Sequence, residues 1–372
     1  MHSSKSIYFP GLNGLRAIAA LSVLFAHTTL GLKYFGLDSF VFGKYPDGSP
    51  KATLLAGFGV SIFFAISGFL ITFLLTKENE KQPIQIRKFY IRRILRIWPL
   101  YFLYLVIVIL TLLAFNIEFE NSSIAYYVLL SANVPFVFGN AIEFLGHYWS
   151  LGVEEQFYLF WPNFLKRSSN FLTSAMILCI ILILVKIIVY LLSSKIPKLE
   201  LLYTFIHVTR FQCMIIGAIG GLLYFKKNKL FMKLLNQKIT QLIAWTIILL
   251  VAVNKFHLIS VLDNEFISLV TVVLIIGQIE KKNRLINLEN KLFDFLGKIS
   301  FGIYVIHPLL IFYISKLFHF DHQEVKNYIL VYSVVTVATV GIAYVLYTFF
   351  ESPILKLKSN YTVIESKSTM SG

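Results

Sequence analysis

Arg16 and His27 stand eleven residues apart on one apolar stretch that opens at Gly11. At about 100° per residue both side chains share one helix face, and at about 1.5 Å of rise they lie roughly 16 Å apart along the axis. An arginine at the centre of a bilayer costs on the order of 2.5–3.5 kcal/mol on insertion scales, so an ionisable residue kept there is a candidate for function. His27 suits a general base, because neutral imidazole titrates near working pH. The plainer reading is a histidine hydrogen-bonded to a neighbouring helix. For Arg16 the plainer reading is a snorkelling anchor. Between them Ala20 and Val23, with Ala19 nearby, leave either a groove or a close helix contact.

Four further groups carry polar chemistry. Arg93 and Arg96 sit on one helical face of the segment Arg87–Pro99. They read either as interfacial anchors or as a clamp for phosphate, which guanidinium binds in bidentate fashion. His147, Ser150, Glu154 and Tyr158 recur at helical spacing beside Trp149 and form a polar stripe. A carboxylate such as Glu154 needs a partner there, and Arg210 is one candidate; otherwise it orients a base or holds a hydroxyl-rich acceptor. Ser300, Tyr304 and His307 form another stripe, with Pro308 freeing a backbone group that His307 could use. Gly57, Gly59, Ser61, Ser67 and Gly68 place small residues along one helix, where tight packing is the default.

The elements that must position these groups are membrane helices. Of the 372 residues, 57% are hydrophobic and 14% charged, with a mean hydropathy of +0.73. Apolar runs of about 20 residues recur along the chain, as membrane spans require. The expected fold is all-α: a polytopic membrane helical bundle of about ten transmembrane helices. The spans are expected near 12–32, 54–76, 97–116, 147–165, 171–193, 203–225, 239–254, 258–278, 298–317 and 329–350. The run 124–138 is short and contains Pro135, so it is expected to be re-entrant or interfacial. Only 8 of the 34 Lys/Arg then fall in outer loops, which places both termini in the cytoplasm. The net charge of +15 follows from this bias and from contact with anionic membrane lipids, so nucleic-acid binding is not expected. The two cysteines, Cys179 and Cys213, fall within spans and read as packing residues. Residues 1–357 are expected to form one integral-membrane domain and 358–372 a short disordered tail.

Together these segments resemble the acyltransferase-3 family of bacterial integral-membrane O-acyltransferases that modify envelope glycans. The Arg-x10-His element falls on Arg16 and His27, and the Arg-x-x-Arg element on Arg93 and Arg96. A Gly-Val-x-x-Phe-Phe-x-x-Ser-Gly-Phe element runs from Gly59 to Phe69. A Trp-Ser-Leu-x-x-Glu-x-x-Phe-Tyr element runs from Trp149 to Tyr158, and Ser-x-Gly-x-Tyr-x-x-His-Pro from Ser300 to Pro308. Many relatives carry Asp where Ser61 stands, and many carry a fused extracytoplasmic hydrolase-like domain that the sequence given does not include.

The resemblance implies transfer of an acyl group, acetyl above all, from cytosolic acyl-CoA to a hydroxyl of an envelope polysaccharide or lipid-linked sugar. Acyl-CoA would be a co-substrate, with no permanently bound cofactor and no metal, since a thioester is already activated. Arg16, Arg93 and Arg96 would hold the coenzyme A phosphates. His27 would act as general base or transient acyl carrier, and Glu154 would position the acceptor or support the charge state of a neighbouring base. Trp149, Ser150, Tyr158, Arg210, Tyr304 and His307 would line the substrate pocket. The implied location is the bacterial cytoplasmic (inner) membrane. A transporter or flippase of an envelope precursor is the alternative, because buried His, Glu and Arg also suit a polar pathway. No pair of Gly- or Pro-broken spans in matching halves supports it.

Overall fold

The computed structural model describes residues 7–45, 48–362, 364, 366 and 367. Among these, nearly all regular structure is helical. Helix α1 spans Leu12–Gly31, α2 Thr53–Lys81 and α3 Ile86–Ala114. Two short helices follow, α4 (Ser123–Val128) and α5 (Asn133–Val137), then α6 (Trp149–Arg167) and α7 (Phe171–Ser193). Next come α8 (Lys198–Thr209), α9 (Phe211–Phe225), α10 (Lys229–Leu235), α11 (Lys238–Ala252) and α12 (Asp263–Glu280). The chain closes with α13 (Lys291–Lys298), α14 (Ser300–Ser315), α15 (Val325–Leu346) and α16 (Ser352–Leu357). Strand β1 (Ile7–Tyr8) pairs in parallel with β2 (Ser366–Lys367).

Among the described residues six helices are long and apolar enough to cross a membrane, and eight if two bent pairs each count as one span. The expected ten is not reached on that measure. Helices α6 and α12 occupy two of the expected spans but carry charge inside them: Glu154 and Glu155 in one, Asp263 and Glu265 in the other. Two spans are broken rather than continuous. Helices α10 and α11 meet at a 58° bend and α13 and α14 at a 64° bend, whereas α8 and α9, interrupted at Arg210 (φ 28°), run on as one span. The 124–138 run forms only the two short helices α4 and α5, too short to span.

Part of the 358–372 segment is described. Lys358–Tyr361 form a 3-10 turn packed on α3, with the Tyr361 carbonyl accepting from Arg92 at 2.8 Å. Ser366 and Lys367 return to pair with β1. The backbone of these residues finds hydrogen-bond partners on the bundle. Residues 363, 365 and 368–372 lie outside the described residues.

Helix α1 sits centrally, with most of its length buried against α2, α13 and α14. Helix α7 is the opposite case. Only Ala175, Cys179 and Lys186 on it are buried, while Ile177, Ile180, Leu184 and Ile188 face outward at 52–54% exposure. So large an apolar face fits lipid rather than water. Both cysteines are buried and unpaired.

The closest helix contact joins α2 to α9, and small residues permit it. A Cβ at Gly217 would overlap the Ala65 carbonyl oxygen, and one at Gly68 the Met214 carbonyl oxygen. Backbone meets backbone here, so no side chain can swing away. Gly217→Val is expected to destabilise the fold by roughly 1–3 kcal/mol through overpacking. Thermal unfolding in detergent reads this against Gly341→Val on α15, where an added Cβ meets open space. Equal midpoints for the two variants would count against the contact.

Candidate active site

One cavity of about 500 Å³ lies between α1, α2, α3, α6 and α14. Arg16 of α1 and Arg93 and Arg96 of α3 line it, together with Arg92 and Lys358. Arg16 donates to Asn13 Oδ1 at 3.2 Å. Arg93 lies over the Phe89 and Tyr158 rings, with centroids 5.6 and 5.5 Å away, and its buried Nε has no hydrogen-bond partner. Among the described residues no carboxylate forms an ion pair with Arg16, Arg93 or Arg96. Two of the nearby carboxylates are otherwise engaged. Glu78 pairs with Arg92 at 3.3 Å and caps the Gln85 amide at 2.8 Å. Glu154 accepts from Ser67 Oγ at 2.6 Å and from the Tyr158 hydroxyl. The cavity is thus lined by half-buried cations with donors to spare, which is the composition of an anion site.

The far wall of this cavity is made by Ser150 and Tyr304. Their hydroxyls lie 2.5 Å apart, and Tyr304 also donates to the His147 carbonyl at 2.9 Å. Directly behind this wall lie three histidines. The Tyr304 ring centroid is 5.4 Å from His147 and 6.1 Å from His307. His27 Nδ1 is 2.6 Å from His307 Nε2, and their rings stack at 4.9 Å. His147 completes the group, 5.2 Å from His307 and 6.4 Å from His27. His307 is 0% and His147 5% exposed, whereas His27 keeps accessible surface.

The sequence places Arg16, Arg93, Arg96, Glu154, Ser150, Tyr158 and Tyr304 as site residues, and all seven line the cavity. His27 and His307 do not line it; they form the cluster behind its wall. The groove considered between Arg16 and His27 is filled. Ala20 and Val23 are 0% and 1% exposed, and Gly59 of α2 sits against Val23 and the Ala19 carbonyl. Close packing is what those small residues serve.

Arg210 does not reach Glu154. Its guanidinium donates to Asn264 Oδ1 at 2.7 Å and lies 4.9 Å over the Trp149 ring. Ser61 donates to the same Asn264 oxygen at 2.9 Å. An amide oxygen thus faces Arg210 where an acid at position 61 would have offered charge. Trp149 and Arg210 stack on each other and are not among the residues lining the cavity.

Four participants are not among the residues singled out for roles. His147 stands on the stripe of Glu154, and that stripe was its signal. Lys358 and Arg92 had no signal beyond charge, because their place depends on the chain folding back over α3. Ser67 lies in a run whose glycines dominate, and only the α2–α6 contact reveals it as the partner of Glu154.

Comparison with known proteins bears on the family. The profile of the acyltransferase domain matches residues 9–348. The peptidoglycan O-acetyltransferase OatA of Listeria monocytogenes is 35% identical over 172 residues, covering 42% of this chain and 24% of that protein. The O-acetyltransferase OatA of Staphylococcus aureus is 28% identical over 380 residues, covering 94% of this chain and 57% of that protein. The chain therefore spans little more than half the length of such a relative. No solved structure matches. With the domain profile covering nearly the whole chain, and with cation-lined cavity and histidine cluster built from the segments that carry the resemblance, the chain belongs to the acyltransferase-3 family.

Proposed function

We propose that this chain is a membrane O-acyltransferase that moves an acetyl group from cytosolic acetyl-CoA to a hydroxyl of an envelope glycan or lipid-linked sugar. The observation that carries the reading is the cavity where Arg16, Arg93 and Arg96 converge with no ion-paired carboxylate among the described residues. A polyanion ending in a thioester suits that lining: phosphates against the guanidinium groups, and the acyl end toward Tyr304 and the histidines behind it. His27, the one accessible ring of the cluster, takes the proton of the attacking hydroxyl. Glu154, held by Ser67 and Tyr158, keeps acceptor or donor in register. The names of the two OatA relatives support acetyl as the group transferred and, for the Listeria protein, peptidoglycan as one kind of acceptor. The loop charges support cytoplasmic termini and entry of the donor from the cytoplasmic side of the inner membrane.

Acetyl-CoA binding to purified protein tests the donor side. A guanidinium–phosphate contact at a half-exposed site is expected to contribute about 1.4 kcal/mol, a factor of ten. Arg93→Ala/Arg96→Ala together are expected to weaken binding roughly 100-fold and to flatten its salt dependence. A coenzyme A analogue lacking one phosphate loses affinity for the wild type but much less for this variant. An unchanged Kd in a folded double variant would remove these arginines from the donor site.

A further inference from the structure

We propose that His307 is a positioning residue that fixes the tautomer of His27, so that the His27 Nε2 lone pair is the base. This rests on the reading that His27 receives the acceptor's proton. The argument runs through hydrogen-bond polarity.

His307 Nδ1 lies 3.1 Å from the Ile303 carbonyl oxygen. A carbonyl only accepts, so this ring nitrogen carries the hydrogen. Among the described residues no carboxylate is hydrogen-bonded to any of the three rings, and a buried charge without a partner is costly. The cluster at rest is therefore neutral, and a neutral imidazole has one N–H. His307 Nε2 must then present its lone pair. Its 2.6 Å contact with His27 Nδ1 works only if His27 donates from Nδ1. That leaves His27 Nε2 unprotonated.

The fold enforces the same direction at each step. Pro308 has no N–H for the Tyr304 carbonyl, which opens the helical ladder in the turn where the His307 ring docks. His147 donates from Nε2 to the Val305 carbonyl at 3.0 Å and meets His307 at a 61° ring angle, blocking its rotation. Both supporting rings are buried, and only the ring they orient is accessible.

The step balances without any further reagent. The acceptor oxygen bonds to the thioester carbonyl carbon while its proton passes to His27 Nε2. The carbon–sulfur bond then breaks, and Nε2 returns the proton to the departing thiolate, giving ester and free coenzyme A. While His27 is an imidazolium, its Nδ1–H bond to neutral His307 becomes charge-assisted. His307 thus does by neutral acceptance what a carboxylate does in a serine-hydrolase triad.

The full chain, with ¹⁵N-labelled histidine in lipid nanodiscs, gives a direct readout. The His27 ring signals are identified by their loss in His27→Gln. A protonated Nδ1 and an unprotonated Nε2 are expected in the wild type, and the reverse pattern overturns the proposal. His307→Phe is expected to lower kcat roughly 10²-fold, as misoriented groups do, with the KM for acetyl-CoA unchanged. His307→Asn, which restores a carbonyl acceptor, is expected to recover part of that loss. Full kcat in a folded His307→Phe would also overturn it. Retained transfer by His27→Gln would instead remove His27 from catalysis and leave the tautomer result standing by itself.

Discussion

His27→Ala is expected to keep acetyl-CoA binding and to lose acyl transfer by a factor of about 10²–10⁴, the usual contribution of a general base. The two effects separate because the cation-lined cavity and the histidine cluster are different places. Arg16, Arg93 and Arg96 line the cavity; His27 lies behind the wall made by Ser150 and Tyr304. Binding by calorimetry and turnover by thiol release read the two independently. Quenched turnover followed by mass spectrometry distinguishes the roles open to His27. An acetyl group on its ring marks a carrier, and an unmodified ring with dead His27→Ala marks a base. Undiminished turnover by the variant would exclude both.

The second large effect concerns stability. Lys186 of α7 is 0% exposed and lies 2.6 Å from Glu265 of α12. Gln212 donates to the same oxygen at 2.6 Å. Lys186→Met would strand the Glu265 carboxylate in a dry interior, which costs about 3–5 kcal/mol. Lys186→Met combined with Glu265→Leu removes both charges, and an apolar pair of similar volume is often neutral or stabilising. The single variant is therefore expected to unfold earlier than both the wild type and the double variant in a detergent melt. A double variant as unstable as the single one would show that the ion pair is not the origin of the loss.

How legible this protein is differs by level. Helix positions were readable, because a chain that must satisfy its backbone in lipid has few options besides apolar helices of fixed length. The exceptions share a cause. Helices α6 and α12 carry their charges inward, so apolar composition understates them, and the break at Arg210 has no glycine or proline to announce it. Arg210 holds φ at 28° because its side chain is anchored on Asn264 and stacked on Trp149, and contacts that distant leave no local mark. The site residues were readable as types at helical spacings, which is why seven of them were found on one cavity.

By itself, then, the sequence determined the all-helical character of the chain, its family resemblance and the chemical kinds of group offered to the candidate site: guanidinium, carboxylate and imidazole. The helical character follows from composition and periodicity, which act within one helix, and the resemblance from five motifs standing in order along the chain. Partnership was decided only by the tertiary structure. It gave Glu154 to Ser67 and Tyr158 rather than Arg210, closed the groove between Arg16 and His27 with Gly59, and brought His307 and His147 to His27. The reason is that a hydrogen bond is fixed to a few tenths of an ångström by how two helices cross. That crossing depends on small residues such as Gly68 and Gly217 letting backbones touch.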